Sequence, residues 1–138
     1  MTESENAALA RRFIDDVWNR GRSEAVRELV HPQAVGHLEG FEVRGPEGFL
    51  PAWASLLGAF PDLTVIIQDL VAQGDAVVVR WTASGTHTGK HLGVLPTGKL
   101  VGFRGITWLR FSEGRIVESW DSWNQGRLFN ELQGARKD

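Results

Sequence analysis

The chain has 138 residues, with 15 lysines and arginines against 17 aspartates and glutamates. This length fits a single domain with its own core, and the near balance of charge gives no electrostatic support for binding nucleic acid or an anionic membrane. The lack of cysteine excludes disulfides and thiol chemistry, and the lack of tyrosine excludes mechanisms that need a phenol. Since there is neither a long apolar segment nor a signal peptide, we expect a cytoplasmic protein.

Apolar residues recur at helical spacing over the first 60 residues, which predicts three helices. Capping and helix-breaking residues set the limits of each helix. The first runs from Thr2 or Ser4 to Asn19-Arg20-Gly21, the second from Ser23 to His31-Pro32, and the third from Gly45-Pro46-Glu47-Gly48 to Pro61-Asp62. Between the second and third helices, residues 34–40 read as a short strand or turn, in which His37 is the polar exception.

From residue 63 the apolar period changes to two, which predicts long strands. They cover residues 63–72, 76–88, 100–111 and 114–125, with a tight turn at Gly74-Asp75 and a short helix or frayed turn over 124–134 before a loose end. Helices followed by a meander of strands predict an α+β fold. An antiparallel sheet that curls around the helices would leave a mostly apolar cavity, where a small apolar or aromatic ligand would bind.

The last predicted strand carries the main catalytic candidate, Asp121. Alternate residues of a strand share a face, so Asp121 is expected to point the same way as Val117, Ser119 and Trp123. Apolar neighbours make a carboxyl harder to ionise, so its pKa should rise toward the range useful for general acid–base catalysis. The alternative is a strand-end carboxyl that only accepts hydrogen bonds from nearby backbone.

Several motifs occur in an order that resembles one known family: Gly85-Thr86-His87-Thr88-Gly89, Leu92-Gly93-Val94, Pro96-Thr97-Gly98-Lys99, Phe103-Arg104-Gly105-Ile106 and residues 114–121. They resemble the SnoaL-like polyketide cyclases, also called predicted ester cyclases, of the superfamily that includes nuclear transport factor 2. The resemblance covers nearly the whole chain. It implies a cone-shaped α+β barrel, in which a curled antiparallel sheet packs on three N-terminal helices.

The resemblance also implies a reaction: aldol-type closure of a polyketide ring without metal or cofactor, with Asp121 as acid and base. In that family a Gln and a His, two residues apart, lie on the preceding strand. The matching positions here are Gly105 and Thr107, so those polar groups are missing. Related isomerase or lyase chemistry and a ligand- or partner-binding domain without chemistry therefore stay open as alternatives.

Other side chains are candidates for the same site. His87 lies on the apolar face of its strand and would donate to a substrate oxygen or share a proton with Asp121; the alternative is a structural histidine. We expect substrate contacts from one further set of residues: His37, Trp53, Trp81, Trp123 and His91. No histidine pair has the spacing of metal ligands, so we predict no metal site. The resemblance likewise implies that no cofactor is needed.

The outer face of the sheet is expected to be partly apolar. Ile116 and Trp120 lie opposite the Asp121 face, and the neighbouring strand presents Ile106 and Trp108 between arginines. Apolar patches rimmed by polar groups usually mark a partner surface. We therefore predict a homodimer packed sheet to sheet about a two-fold axis, with Trp108 or Trp120 and a strand arginine in its interface.

Overall fold

The structure is a computed structural model and describes residues 1–90 and 92–134. Over these residues the helices are α1 (Glu3–Phe13), α2 (Ser23–Leu29), α3 (Gly45–Ala59) and α4 (Gln125–Gly134), and a π-helical segment (Ile14–Asn19) continues α1. The strands are β1 (Val30–Leu38), β2 (Phe41–Arg44), β3 (Thr64–Gln73), β4 (Ala76–Thr86), β5 (Leu100–Ser112) and β6 (Arg115–Trp123). Along the described chain, no helix has the length and apolarity to cross a membrane.

The six strands form one sheet in the order β2-β1-β6-β5-β4-β3. All neighbours are antiparallel except β1 and β6, which run parallel. The predicted α+β class is confirmed, but the sheet is mixed, and it is open, with β2 and β3 as its edges. The difference arises because β1 already begins at Val30, longer than the short strand or turn expected, and enters the sheet beside β6.

Local signals in the sequence set the helix ends. The Thr2 hydroxyl accepts a hydrogen bond from the Glu5 N–H at 3.0 Å, and the Glu5 carboxylate accepts one from the Thr2 N–H at 2.8 Å, which is a capping box. After the π-helical segment, Gly21 has a φ of 63°, a left-handed conformation that glycine adopts easily. The predicted starts of α2 at Ser23 and of α3 at Gly45 are confirmed.

The helices cover one face of the sheet, and two polar contacts fix the π-helical segment in this layer. The Asn19 side chain accepts a hydrogen bond from the Val65 N–H at 2.6 Å and donates one to the Val65 carbonyl at 2.9 Å, which ties the segment to β3. Trp53 on α3 donates its indole N–H to the Val17 carbonyl at 2.7 Å. Hydrogen bonds as well as apolar packing therefore hold the helices against the sheet and against one another.

A β-bulge interrupts the hairpin of β5 and β6. Phe111 pairs with Ile116, whereas Arg110 pairs with Glu118, so Val117 is an extra residue in β6. Ile116 consequently turns inward and is only 3% exposed. The prediction that Ile116 lies on the outer face with Trp120 is wrong, because strict alternation fails at the bulge.

Candidate active site

A cavity of about 400 Å³ lies between the inner face of the sheet and the helices. Its walls are mostly apolar, and both layers contribute aromatic side chains to them: Phe13, Trp18, Phe49, Trp53, Trp81 and Trp123. Glu39 and Asp121 are the two ionisable side chains that line it within the described residues. A volume of this size suits a small organic ligand, and the walls favour an apolar one.

The register of the three central strands brings the polar groups of the cavity together. Thr107 on β5 lies directly opposite Asp121 on β6, and both face inward. Trp81 on β4 pairs with Gly105. A Cβ atom at Gly105 would lie 2.6 Å from Cζ2 of Trp81 and 2.5 Å from Cβ of Trp123. The Trp81 indole and the Trp123 Cβ therefore occupy the space that a side chain at position 105 would need.

A hydrogen-bond chain ends on the candidate catalytic carboxyl. The Thr107 hydroxyl donates to Oδ1 of Asp121 at 2.6 Å and accepts from the Trp81 indole N–H at 3.0 Å. From the sequence, Thr107 is only the position where the family has a histidine, and the prediction missed this contact. One signal was available: Thr107 is the polar exception among the inward-facing residues of its predicted strand.

The surroundings of Asp121 alter its acidity. Burial raises the pKa of Asp121 to about 6, the negative charge of Glu39 acts in the same direction, and the hydrogen bond from Thr107 opposes both. The direction is the one expected from the apolar neighbours of Asp121 in sequence. A carboxyl with this pKa exists in both protonation states near neutral pH, so it is able to accept and return a proton.

His87 lies outside this cavity lining. Its side chain is fully buried, its ring packs on Phe60 at 5.6 Å, and Nδ1 accepts a hydrogen bond from the Thr97 N–H at 3.2 Å. Burial lowers the pKa of the imidazole. The expected sharing of a proton with Asp121 is not found, because the chain beyond β4 turns this side chain into the core beneath residues 97–99.

His37 lies on the opposite face of the sheet from the cavity. Its two ring nitrogens are each 2.8 Å from a carboxylate, Glu42 on one side and Glu118 on the other, and the ring stacks on Trp120 at 5.2 Å. The hydrogen bond with Glu118, more than any other contact, raises the pKa of His37. Strand alternation points His37 outward, so the structure does not place this predicted substrate contact in the lining of the cavity. The other histidine expected at the ligand, His91, lies outside the described residues.

The three tryptophans expected to contact substrate, Trp53, Trp81 and Trp123, all line the cavity. Two of their indole N–H groups are used within the protein, on Val17 and Thr107. The indole N–H of Trp123 has no hydrogen-bond acceptor among residues 1–90 and 92–134. Within the same ranges, no group of three or more metal-ligating side chains occurs.

The profile of the SnoaL-like polyketide cyclases matches residues 8–132. The chain belongs to this family. It is 31% identical over 116 residues to aklanonic acid methyl ester cyclase AcmA of Streptomyces galilaeus, an alignment covering 82% of this chain and 80% of AcmA. The family assigned from sequence motifs is thereby confirmed, and membership supports the expectation of an enzyme.

Solved structures of SnoaL-like proteins share the fold. AclR from Streptomyces galilaeus, provisionally described as a hydroxylase, superposes with a TM-score of 0.86 at 32% identity, over 99% of this chain and 85% of AclR. IdmH from Streptomyces antibioticus, provisionally described as a polyketide cyclase, superposes with a TM-score of 0.78 at 34% identity, over 96% of this chain and 99% of IdmH. Members of one fold family thus have different described activities, so the chemistry has to be argued from the site.

Proposed function

We propose that this SnoaL-like protein is a cofactor-independent cyclase that closes a ring in an uncharged, apolar, oxygenated substrate such as a polyketide, with Asp121 as acid and base. The observation that supports this most directly is the position of Asp121. Its carboxyl lines a mostly apolar cavity and has a pKa raised to about 6. A general base works best when its pKa lies near the operating pH.

The chemistry needs only a proton acceptor that later returns the proton. Ionised Asp121 would remove a proton from a carbon next to a carbonyl group. The resulting enolate carbon would attack a second carbonyl carbon of the same molecule and form the new C–C bond. Protonated Asp121 would then return its proton to the alkoxide, so the reaction is an isomerisation without loss of mass.

The developing negative charge on the substrate oxygen needs a donor. Trp123 lies two residues from Asp121 on the inner face of β6, and its indole N–H has no acceptor among the described residues. We assign it the role of polarising the carbonyl oxygen. Trp53 and Trp81 use their N–H groups within the protein and would serve as flat apolar walls.

The charge of the substrate follows from the cavity lining. Glu39 and Asp121 are acids, and no lysine, arginine or histidine of the described residues lines the cavity. A substrate carboxylate would be desolvated there without a cationic partner, which is strongly unfavourable. The proposed substrate is therefore neutral, and the relative AcmA is named for a methyl ester, in which an acid is masked.

The test is turnover of aklanonic acid methyl ester, with free aklanonic acid as the charged comparison. Cyclisation appears as a product of unchanged mass and new retention time. Asp121→Asn should lower the rate by about 10²–10⁴-fold, whereas Asp69→Asn, on the exposed edge strand β3, should not change it. The assigned role is wrong if Asp121→Asn retains the full rate on any substrate that the protein converts.

The alternative function is a ligand- or partner-binding domain that performs no chemistry. The glycine at position 105 favours it, because no polar side chain stands where the family has Gln. NMR titration of Asp121 separates the two functions without a substrate. A measured pKa near about 3.9, the unperturbed value, would favour a purely structural carboxyl.

We also propose that the protein forms a homodimer through the outer face of the sheet. Ile106 and Trp108 are 47% and 45% exposed there, and Trp120 is 36% exposed. The Arg110 guanidinium lies 5.9 Å from the Trp120 ring centroid, and Trp108 meets the same ring edge-on at 6.3 Å. Exposed aromatic residues beside arginine are typical of interface cores.

Sedimentation at micromolar concentration should show a species twice the 15.3 kDa chain mass. Trp108→Glu should shift it to monomer, whereas Leu95→Glu, an exposed loop position away from the strands, should not. A protein that is monomeric at this concentration would contradict the dimer. A dimer insensitive to Trp108→Glu would contradict the choice of face.

A further inference from the structure

The hydrogen-bond chain on Asp121 has a fixed direction. An indole N–H only donates, and a hydroxyl group has a single proton. Because Thr107 Oγ1 accepts from Trp81, its own proton is available to Oδ1 of Asp121, 2.6 Å away. Thr107 is 6% exposed and has no other hydrogen-bond acceptor among the described residues. Turning this proton away would leave it buried and unpaired, which is unfavourable.

The two oxygens of the Asp121 carboxyl are therefore not equivalent. Oδ1 accepts the Thr107 hydrogen bond. Oδ2 has no hydrogen-bond partner in the described chain, but it is not a buried atom. Because Asp121 lines the cavity, the surface of this oxygen is open to the cavity. A ligand in the cavity reaches Oδ2 without displacing any protein contact.

We infer that Thr107 is a positioning residue which, with Trp81 behind it, keeps Oδ1 of Asp121 as an acceptor and confines proton exchange with the ligand to Oδ2. The inference rests on the proposed acid–base role of Asp121. It gives position 107 a function in this chain, although the imidazole of the family is absent there.

The same hydrogen bond limits how far the pKa of Asp121 can rise. Burial and the charge of Glu39 favour the protonated form, and the Thr107 hydroxyl is the contact that favours the ionised one. Without that hydroxyl, Asp121 would be protonated over more of the neutral range and would be a less available base at the start of the reaction.

The experiment is an NMR titration of the Asp121 side-chain carboxyl in substrate-free protein. Thr107→Val keeps the shape of the side chain but removes the hydroxyl, and should raise the Asp121 pKa by about one pH unit. Thr107→Ser keeps the hydroxyl and should leave the pKa close to that of the unmodified protein. With a converted substrate, the acid limb of the pH–rate profile should move upward with the titration in Thr107→Val only.

Trp81→Phe provides a second, independent variant, because Thr107→Val leaves the Trp81 N–H without an acceptor and could prevent folding. Once the indole donor is removed, it no longer polarises the Thr107 hydroxyl, which then donates more weakly to Oδ1, so the Asp121 pKa should rise by less than in Thr107→Val. The double variant should show no larger shift than Thr107→Val alone.

An unchanged Asp121 pKa in Thr107→Val would overturn the inference, as would a Thr107→Ser shift as large as that of valine. If Thr107→Val does not fold, an unchanged pKa in Trp81→Phe has the same meaning. These titrations need no substrate and so are distinct from the test of function. Full turnover by Asp121→Asn would refute the acid–base role even if every titration agreed.

Discussion

Replacing Asp121 with asparagine should make the fold more stable above pH 6 while it lowers the proposed cyclase activity. The folded protein holds the pKa of Asp121 at about 6 against an ordinary value of 3.8, chiefly because burial disfavours the charged form. At pH 8 the folded state must ionise this group inside the cavity, whereas the unfolded chain ionises it in water. One pKa unit corresponds to about 1.36 kcal/mol, so the shift amounts to a penalty of about 3 kcal/mol.

The penalty has a defined pH dependence. The fold favours the protonated form, so the penalty is absent well below pH 3.8, grows as the pH rises toward about 6, and is constant above that. Asparagine is neutral throughout and its amide oxygen can still accept from Thr107. Urea unfolding at a fixed protein concentration should show the advantage of Asp121→Asn shrinking by about 2 kcal/mol between pH 8 and about pH 4.5.

Asp62 supplies a control of opposite sign. Its carboxylate accepts hydrogen bonds from the N–H and hydroxyl of Thr86, and the backbone contact is the main cause of its lowered pKa. A lowered pKa contributes stability that is present at high pH and is lost as the pH falls. Asp62→Asn should thus be less stable than the unmodified protein at pH 8, with a difference that shrinks in acid. If the stability difference of Asp121→Asn did not change with pH, the reasoning about its raised pKa would be refuted.

Three further substitutions test other contacts by urea unfolding. Gly105→Ala should lower the free energy of unfolding by about 1–3 kcal/mol, since its Cβ would overlap the Trp81 indole and the Trp123 Cβ. Gly102→Ala, with its nearest neighbour at 3.7 Å, should not show this overpacking loss. His37→Gln should be less stable at about pH 5.5 and approach the unmodified protein as the pH rises through the raised His37 pKa, because the charged ring is the form that Glu118 stabilises. Trp53→Phe should lose about 1 kcal/mol with the hydrogen bond to the π-helical segment; equal stability would contradict that bond's contribution.

The features that the sequence predicted well are local. The starts of the helices at Ser23 and Gly45 and the turn at Gly74-Asp75 depend on residues within a few positions of each other. The parallel pairing of β1 with β6 depends on residues about 80 positions apart, such as His37 and Trp120. No local pattern specifies that contact, so a wholly antiparallel sheet was expected.

In the candidate site, too, the sequence predicted the local feature but not the contact between strands. Asp121 could be identified from its strand and its neighbours, but its partner could not. Counting back from the pair of Ser112 and Arg115 at the turn places Thr107 opposite Trp120. The extra residue at Val117 shifts the register by one, so that Thr107 meets Asp121 instead. A bulge of this kind leaves little trace in an alternating pattern, so the hydroxyl–carboxyl contact became visible only with the strands in place.

The edges of the open sheet are protected from adding a further strand. Edge strands with unpaired backbone groups are sites where other chains add and aggregate. The Asn19 side chain already occupies both backbone groups of Val65 on β3, and a register shift between Ile67 and Asp69 distorts the same edge. The opposite edge, β2, has only four residues. Growth of the sheet in its own plane is therefore disfavoured at both ends, so the dimer proposed through the outer face would not extend into fibres.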